Sequence, residues 1–152
     1  MRKSLLIILS LIFVLTACGT ANNQNKTASE NKETDIKQEA IKEIGNGTFY
    51  LENESGTTEN ENVITIFDDG QTQIMQIGIV TSDIDGSKLS YIYIDGKLNT
   101  KLQISDSQDS LDLTKEDLTV GKHQVVLKQF DNNKEDGTPI TVKVAQYEVA
   151  NK

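Results

Sequence analysis

Cysteine, proline and histidine each occur once in 152 residues, and tryptophan does not occur. With the single thiol at Cys18 no internal disulfide can form, so any folded part must stand on its apolar core. One histidine, His123, without a second thiol leaves only carboxylates to complete a zinc site, which normally needs several Cys or His ligands. Four Phe and four Tyr, with no Trp, are few for the broad aromatic platforms of a sugar site. Basic residues are also scarce: 15 Lys and Arg face 23 Asp and Glu. A chain so acidic has no electrostatic reason to seek nucleic acid or anionic lipid. No apolar run is long enough to span a bilayer either. The longest, from Leu5 to Ala17, has about 13 residues, where a spanning helix needs ~20.

What is present at the start of the chain has a definite layout. Arg2 and Lys3 precede the apolar run, and the small residues Ala17 and Gly19 flank Cys18, which is the arrangement of a secretory signal peptide. Within it, Leu15-Thr16-Ala17-Cys18 resembles the lipobox of bacterial lipoproteins: an aliphatic residue, a hydroxyl or small residue, a small residue, then cysteine. That resemblance implies a diacylglyceryl thioether on Cys18 and cleavage just before it. It also implies attachment to the outer face of a Gram-positive-like cell membrane. Two acyl chains anchor stably where one binds only marginally. Loss of residues 1–17 takes Arg2 and Lys3 from the 15 basic residues, leaving 13 against 23 acidic and a net charge near −10.

Residues 18–46 are expected to form a tether. "GTANNQNKTASENKET" at 19–34 contains no large apolar residue. Sixteen such residues span roughly 20–25 Å root mean square. In "DIKQEAIKEIG" Ile36, Ala40, Ile41 and Ile44 recur at helical spacing, with Asp35 at a cap position and Gly45 beyond the end. Residues 35–45 therefore read either as a short helix or as the last of the tether.

From Gly47 the apolar period becomes two. Strands are predicted at Thr48–Glu52, Val63–Phe67, Gln73–Val80, Ser90–Ile94, Lys101–Ile104, Ser110–Leu113, His123–Phe130 and Ile140–Val149. Asp69-Gly70, Asp85-Gly86 and Asp95-Gly96 are pairs suited to tight turns. The expected fold is all-β, a sandwich of seven or eight antiparallel strands over 47–152. In the last strand Ile140, Val142 and Val144 share one face while Ala145, Tyr147 and Val149 share the other, which predicts a bulge near Ala145–Gln146. Pro139 suits the first position of that strand. The segments "LTVGKHQVVLKQFD" (118–131) and "TPITVKVAQYEV" (138–149) resemble the last two strands of bacterial immunoglobulin-like domains. The resemblance implies an immunoglobulin-like architecture and no particular activity. The antibody-type cysteine pair and core Trp are missing here.

No catalytic set emerges from the residue types. His123 sits at a strand start after a glycine turn, where local packing or hydrogen bonding accounts for it. Asp83, Asp85 and Gly86 echo a calcium loop, but Thr81 occupies the first ligand position and Ile92 the twelfth, where a bidentate Glu is needed. Asp131, Asn133, Glu135 and Asp136 could gather round a hard cation or simply form solvated turns. No metal and no cofactor are therefore assigned. Tyr91 and Tyr93 share one strand face, opposite Ile92 and Ile94, and are the candidate partner contacts if the isoleucines point inward. Cross-strand packing is their competing explanation. The sequence thus points to a non-catalytic, membrane-anchored lipoprotein whose immunoglobulin-like domain binds or adapts a protein partner. The alternatives are a surface hydrolase using paired carboxylates and a purely structural or protective envelope lipoprotein.

Overall fold

The computed structural model describes residues 40–152. The expected signal peptide, Cys18, the expected tether up to residue 39 and the first part of the 35–45 segment lie outside the described residues. Nine strands follow in chain order: β1 (Thr48–Asn53), β2 (Gly56–Thr57), β3 (Ile64–Asp68), β4 (Ile74–Ser82), β5 (Ser90–Ile94), β6 (Lys97–Leu102), β7 (Ser107–Thr114), β8 (Gly121–Phe130) and β9 (Pro139–Asn151). They form two sheets, one in the order β2-β1-β4-β7 and one in the order β3-β9-β8-β5-β6. The fold is all-β, the two-sheet sandwich that the alternation predicts.

Burial follows the period of two. Ile77 and Ile79 of β4, Leu111 and Leu113 of β7, and Leu51 of β1 face Ile92 and Ile94 of β5, Val125 and Leu127 of β8, and Ala145 and Tyr147 of β9 across one core. Tyr147 is fully buried. Its ring stacks on His123 at 4.9 Å, and its hydroxyl donates to the Asp117 carbonyl at 2.7 Å. Burial pushes that phenol above its ordinary range.

Several boundaries differ from expectation. β6 starts at Lys97, four residues before the predicted Lys101, because Asp95 and Gly96 alone make the turn. Both have positive φ, at 48° and 81°, and Ile94 pairs directly with Lys97. The polar edge sequence of β6 carries no alternation to announce it. β3 pairs with β9 in parallel, a departure from the all-antiparallel expectation. The described part of 35–45 is not helical: Ile44 forms an isolated antiparallel bridge with Val142, through bonds of 3.1 and 3.0 Å. Gly45 then turns the chain at a φ of 77°, so close to Ile140 that a Cβ would lie 2.6 Å from its carbonyl oxygen.

The bulge also lies elsewhere. Gln129 pairs with Thr141 and Phe130 with Pro139, so the extra residue is Ile140, and pairing runs unbroken through Ala145–Gln146. Inward residues of β9 are odd-numbered throughout, from Thr141 to Val149. Lys143 is one of them. It is 8% exposed, opposite Leu127, and its ammonium donates to the Gly45 carbonyl at 3.1 Å. A buried lysine at an inner position and apolar Val142 and Val144 at outer positions together imitate a change of phase.

Leu127 has no exposed surface. Leu127→Ala is expected to lower unfolding free energy by about 2–5 kcal/mol through lost burial and the cavity left behind, measured by urea unfolding.

Candidate interaction surfaces

The outer face of the β3-β9-β8-β5-β6 sheet is built by the even residues of β8 and β9 and the tyrosines of β5. Tyr93 lies beside Val126, which lies beside Val144; Tyr91 lies beside Lys128, which lies beside Val142. The opposite sheet presents a more polar outer face, where Gln76 donates to Asp112 at 2.8 Å.

Ile92 and Ile94 point inward, at 0% and 2% exposure, so both tyrosines stand on the outer face. Their surroundings differ. Tyr91 is only 3% exposed. The Phe130 ring meets it edge-on at 5.3 Å, the Lys101 ammonium sits 4.6 Å from its centroid, and its hydroxyl donates to the Asn133 carbonyl at 2.7 Å. The connection from β8 to β9 thus folds back over it, and Tyr91 offers no surface to a partner while that loop is in place. Tyr93 stays half-buried. It donates to Glu135 Oε1 at 2.7 Å and lies 5.2 Å beneath the Lys128 ammonium. Of the pair, Tyr93 alone presents ring surface to solvent.

Glu135 links this cluster, since its second oxygen is 3.4 Å from Lys101 Nζ. The bond from Tyr93, aided by Lys101, outweighs partial desolvation and holds the Glu135 carboxyl below its ordinary range. Burial first, then the Glu135 carboxylate, holds the Tyr93 phenol above its own.

His123 is buried between two acceptors. Nδ1 is 2.7 Å from Asp95 Oδ2 and Nε2 is 2.6 Å from the Thr119 carbonyl. Asp95 Oδ1 also accepts the Gln124 amide at 2.9 Å. The histidine therefore ties the β5–β6 turn to the start of β8, with both ring nitrogens engaged and no serine partner.

The acidic loops serve their own turns. Asp85 accepts Ser87 N and Oγ at 2.9 and 2.6 Å. Asp106 accepts the Asp83 amide at 2.6 Å, Asp131 accepts Thr138 N at 3.0 Å, and Asn133 accepts Leu89 N at 2.9 Å. No group of three or more His, Cys, Asp or Glu is placed to hold a metal ion among the described residues.

Sequence reasoning missed a cavity of about 570 Å³ beside β9, formed by residues from 41–50, 58–63 and 143–146. Glu43, Glu59 and Glu61 stand round it. No local pattern could announce it, because three separate segments meet there.

No protein-family model matches the chain, and no curated protein matches it in sequence. A solved structure of the fibronectin(III)-like modules of Clostridium thermocellum CbhA is similar to it at 13% identity, covering 60% of this chain and 93% of that one with a TM-score of 0.36. At that score the architecture rests on the strand registers themselves.

Because the Glu135 carboxyl is depressed, its contribution to holding the 131–138 loop is present above the ordinary glutamate range, ~4.3, and lost as pH falls through the lower folded value. Acid titration followed by the amide NMR signals of residues 131–138 should show the loop loosening below that range, and Tyr93→Phe should move the transition up toward the ordinary glutamate range, with Lys101 still paired to Glu135.

Proposed function

We propose that this chain is a lipid-anchored extracytoplasmic lipoprotein whose immunoglobulin-like sandwich is a non-catalytic module for binding a protein partner. The observation that carries the reading is Leu15-Thr16-Ala17-Cys18 at the end of a short apolar run behind Arg2 and Lys3. Acylation of Cys18 would hold the mature chain on the membrane's outer surface. The domain then supplies a stable two-sheet body, with outer-face rings and loops available for contact.

The sandwich supports a binding role by its distribution of polar groups. His123, Asp95, Asp85 and Asp131 are engaged in turns and strand junctions. On the outer face of the five-stranded sheet, half-buried Tyr93 stands in line with Val126 and Val144 beside the partly exposed Leu98 of β6. An amphipathic ring flanked by aliphatic groups is the composition enriched in protein contacts.

Two measurements test this. Labelling the full-length protein with radioactive palmitate in a Gram-positive host should mark the wild type, while Cys18→Ala should abolish the label and leave the leader uncleaved. Label that persists in Cys18→Ala would defeat the anchoring. Cross-linking in intact cells followed by mass spectrometry should then recover a stoichiometric partner, with capture by Tyr93→Ala reduced about tenfold, as for an interface aromatic. Unchanged capture would remove Tyr93 from the contact surface.

A further inference from the structure

The outer edge of β9 is interrupted midway. We propose that the cavity beside Lys143–Gln146 takes a short extended segment of a partner protein, carrying a basic side chain between apolar ones, which adds to β9 as an extra strand. This rests on the binding-module reading above and names a site and a ligand class for it.

The first argument is backbone accounting. β8 pairs with β9 along one side. On the other side Ile44 meets Val142, and β3 begins opposite Tyr147. Among the described residues no strand pairs with Lys143–Gln146 on that side. Strand geometry aims the N–H and C=O groups of Val144 and Gln146 toward the same edge as those of Val142, which are both bonded to Ile44. The Val144 amide is met there by a side chain, donating to Glu43 Oε1 at 2.8 Å. A carboxylate thus stands where a neighbouring strand's carbonyl would stand. The Ile44 bridge shows that this edge accepts antiparallel backbone, and unpaired edges recruit extended chains.

The second argument is shape and polarity. About 570 Å³ falls within the ordinary size of ligand sites, ~300–1,000 Å³. Ile41 and Val63 line the cavity while 38% and 42% exposed, an apolar surface that an incoming aliphatic side chain would cover.

The third argument is charge. Glu43, Glu59 and Glu61 line the cavity with one cation, Lys143, whose ammonium is bound to the Gly45 carbonyl. The Lys143 ammonium lies 3.9 Å from Glu43, leaving Glu59 and Glu61 to favour a lysine or arginine. When a partner carbonyl takes the Val144 amide, the displaced Glu43 carboxylate becomes a further acceptor for that basic group. Two of the sandwich's four outermost strands are guarded differently. β6 displays Lys97 and Lys101, β7 displays Asp109 and Asp112, and the Asn99 amide caps the Asp112 carbonyl at 2.9 Å.

The test uses the full-length chain, ¹⁵N-labelled in detergent micelles. The probe is an acetylated and amidated pentapeptide alternating valine with lysine, and the control alternates valine with glutamate. The lysine probe should shift the Val144 and Gln146 amide signals and slow their hydrogen exchange, and the glutamate control should not. Glu59→Gln combined with Glu61→Gln should weaken the probe about tenfold. Both glutamates are exposed, so thermal unfolding of the variant should stay unchanged and certify its fold. The proposal is overturned if both peptides bind alike, if millimolar lysine probe moves no amide between 143 and 146, or if the double variant binds it undiminished. Those failures would leave Cys18 labelling and Tyr93-dependent capture intact, and so would be distinct from failure of the anchored-module reading.

Discussion

The pairing of β8 with β9 is the interaction on which the rest of the domain depends. β8 lies centrally in its sheet, between β9 and β5, and β9 in turn carries β3 and the bridge to Ile44. From these two strands come Val125, Leu127, Ala145 and Tyr147, which meet the aliphatic residues of the opposite sheet. With no disulfide available, this ladder and the side chains it aims inward must supply the cohesion that a cysteine pair supplies in other sandwiches. The inner positions are accordingly dominated by branched aliphatics, whose stiff side chains suit a pleated surface. One large aromatic, Tyr147, is fixed at both ends by His123 and the Asp117 carbonyl.

Where strands alternated cleanly, the sequence could be read almost to the residue. Ser90–Ile94 has the expected bounds, and Asp95-Gly96 turns the chain where that dipeptide should. Reading failed where a side chain contradicts its position. Lys143 looks like a solvent residue yet points inward, because the Gly45 carbonyl lies within its reach from a segment almost a hundred residues away. Val142 looks like a core residue yet faces outward, where the cross-strand neighbour Lys128 and the approach of Ile44 cover it. β6 went partly unseen because a polar edge strand has no buried face to impose a period. In β4 the alternate residues Met75, Ile77 and Ile79 form the face that meets the core, within the strand predicted at Gln73–Val80.

The candidate surfaces were legible to a lesser degree. The inward turn of Ile92 and Ile94, and hence the outer placement of Tyr91 and Tyr93, follows from period two alone. The different fates of the two rings do not. They depend on how the polar stretch 131–138 folds, and its composition reads as a solvated turn. In the structure Asn133 adopts a left-handed φ of 57°, its side chain accepts the Leu89 amide and its carbonyl accepts the Tyr91 hydroxyl. A loop that spells exposure is thereby fastened down as a cover. The cavity beside β9 is a purely tertiary feature.

The Ile44 bridge carries a mechanical consequence. Any pull on the chain upstream of residue 44 reaches the sandwich through two backbone hydrogen bonds to Val142, next to a glycine turn, before it reaches β1. Together with the Glu43 carboxylate on the Val144 amide and the Lys143 ammonium on the Gly45 carbonyl, those bonds are far fewer than the ladders that join the strands of either sheet. The first mechanical event is therefore a yielding of the entry segment that leaves both sheets whole. It acts as a short shock absorber and lengthens the free stretch of β9 beside it.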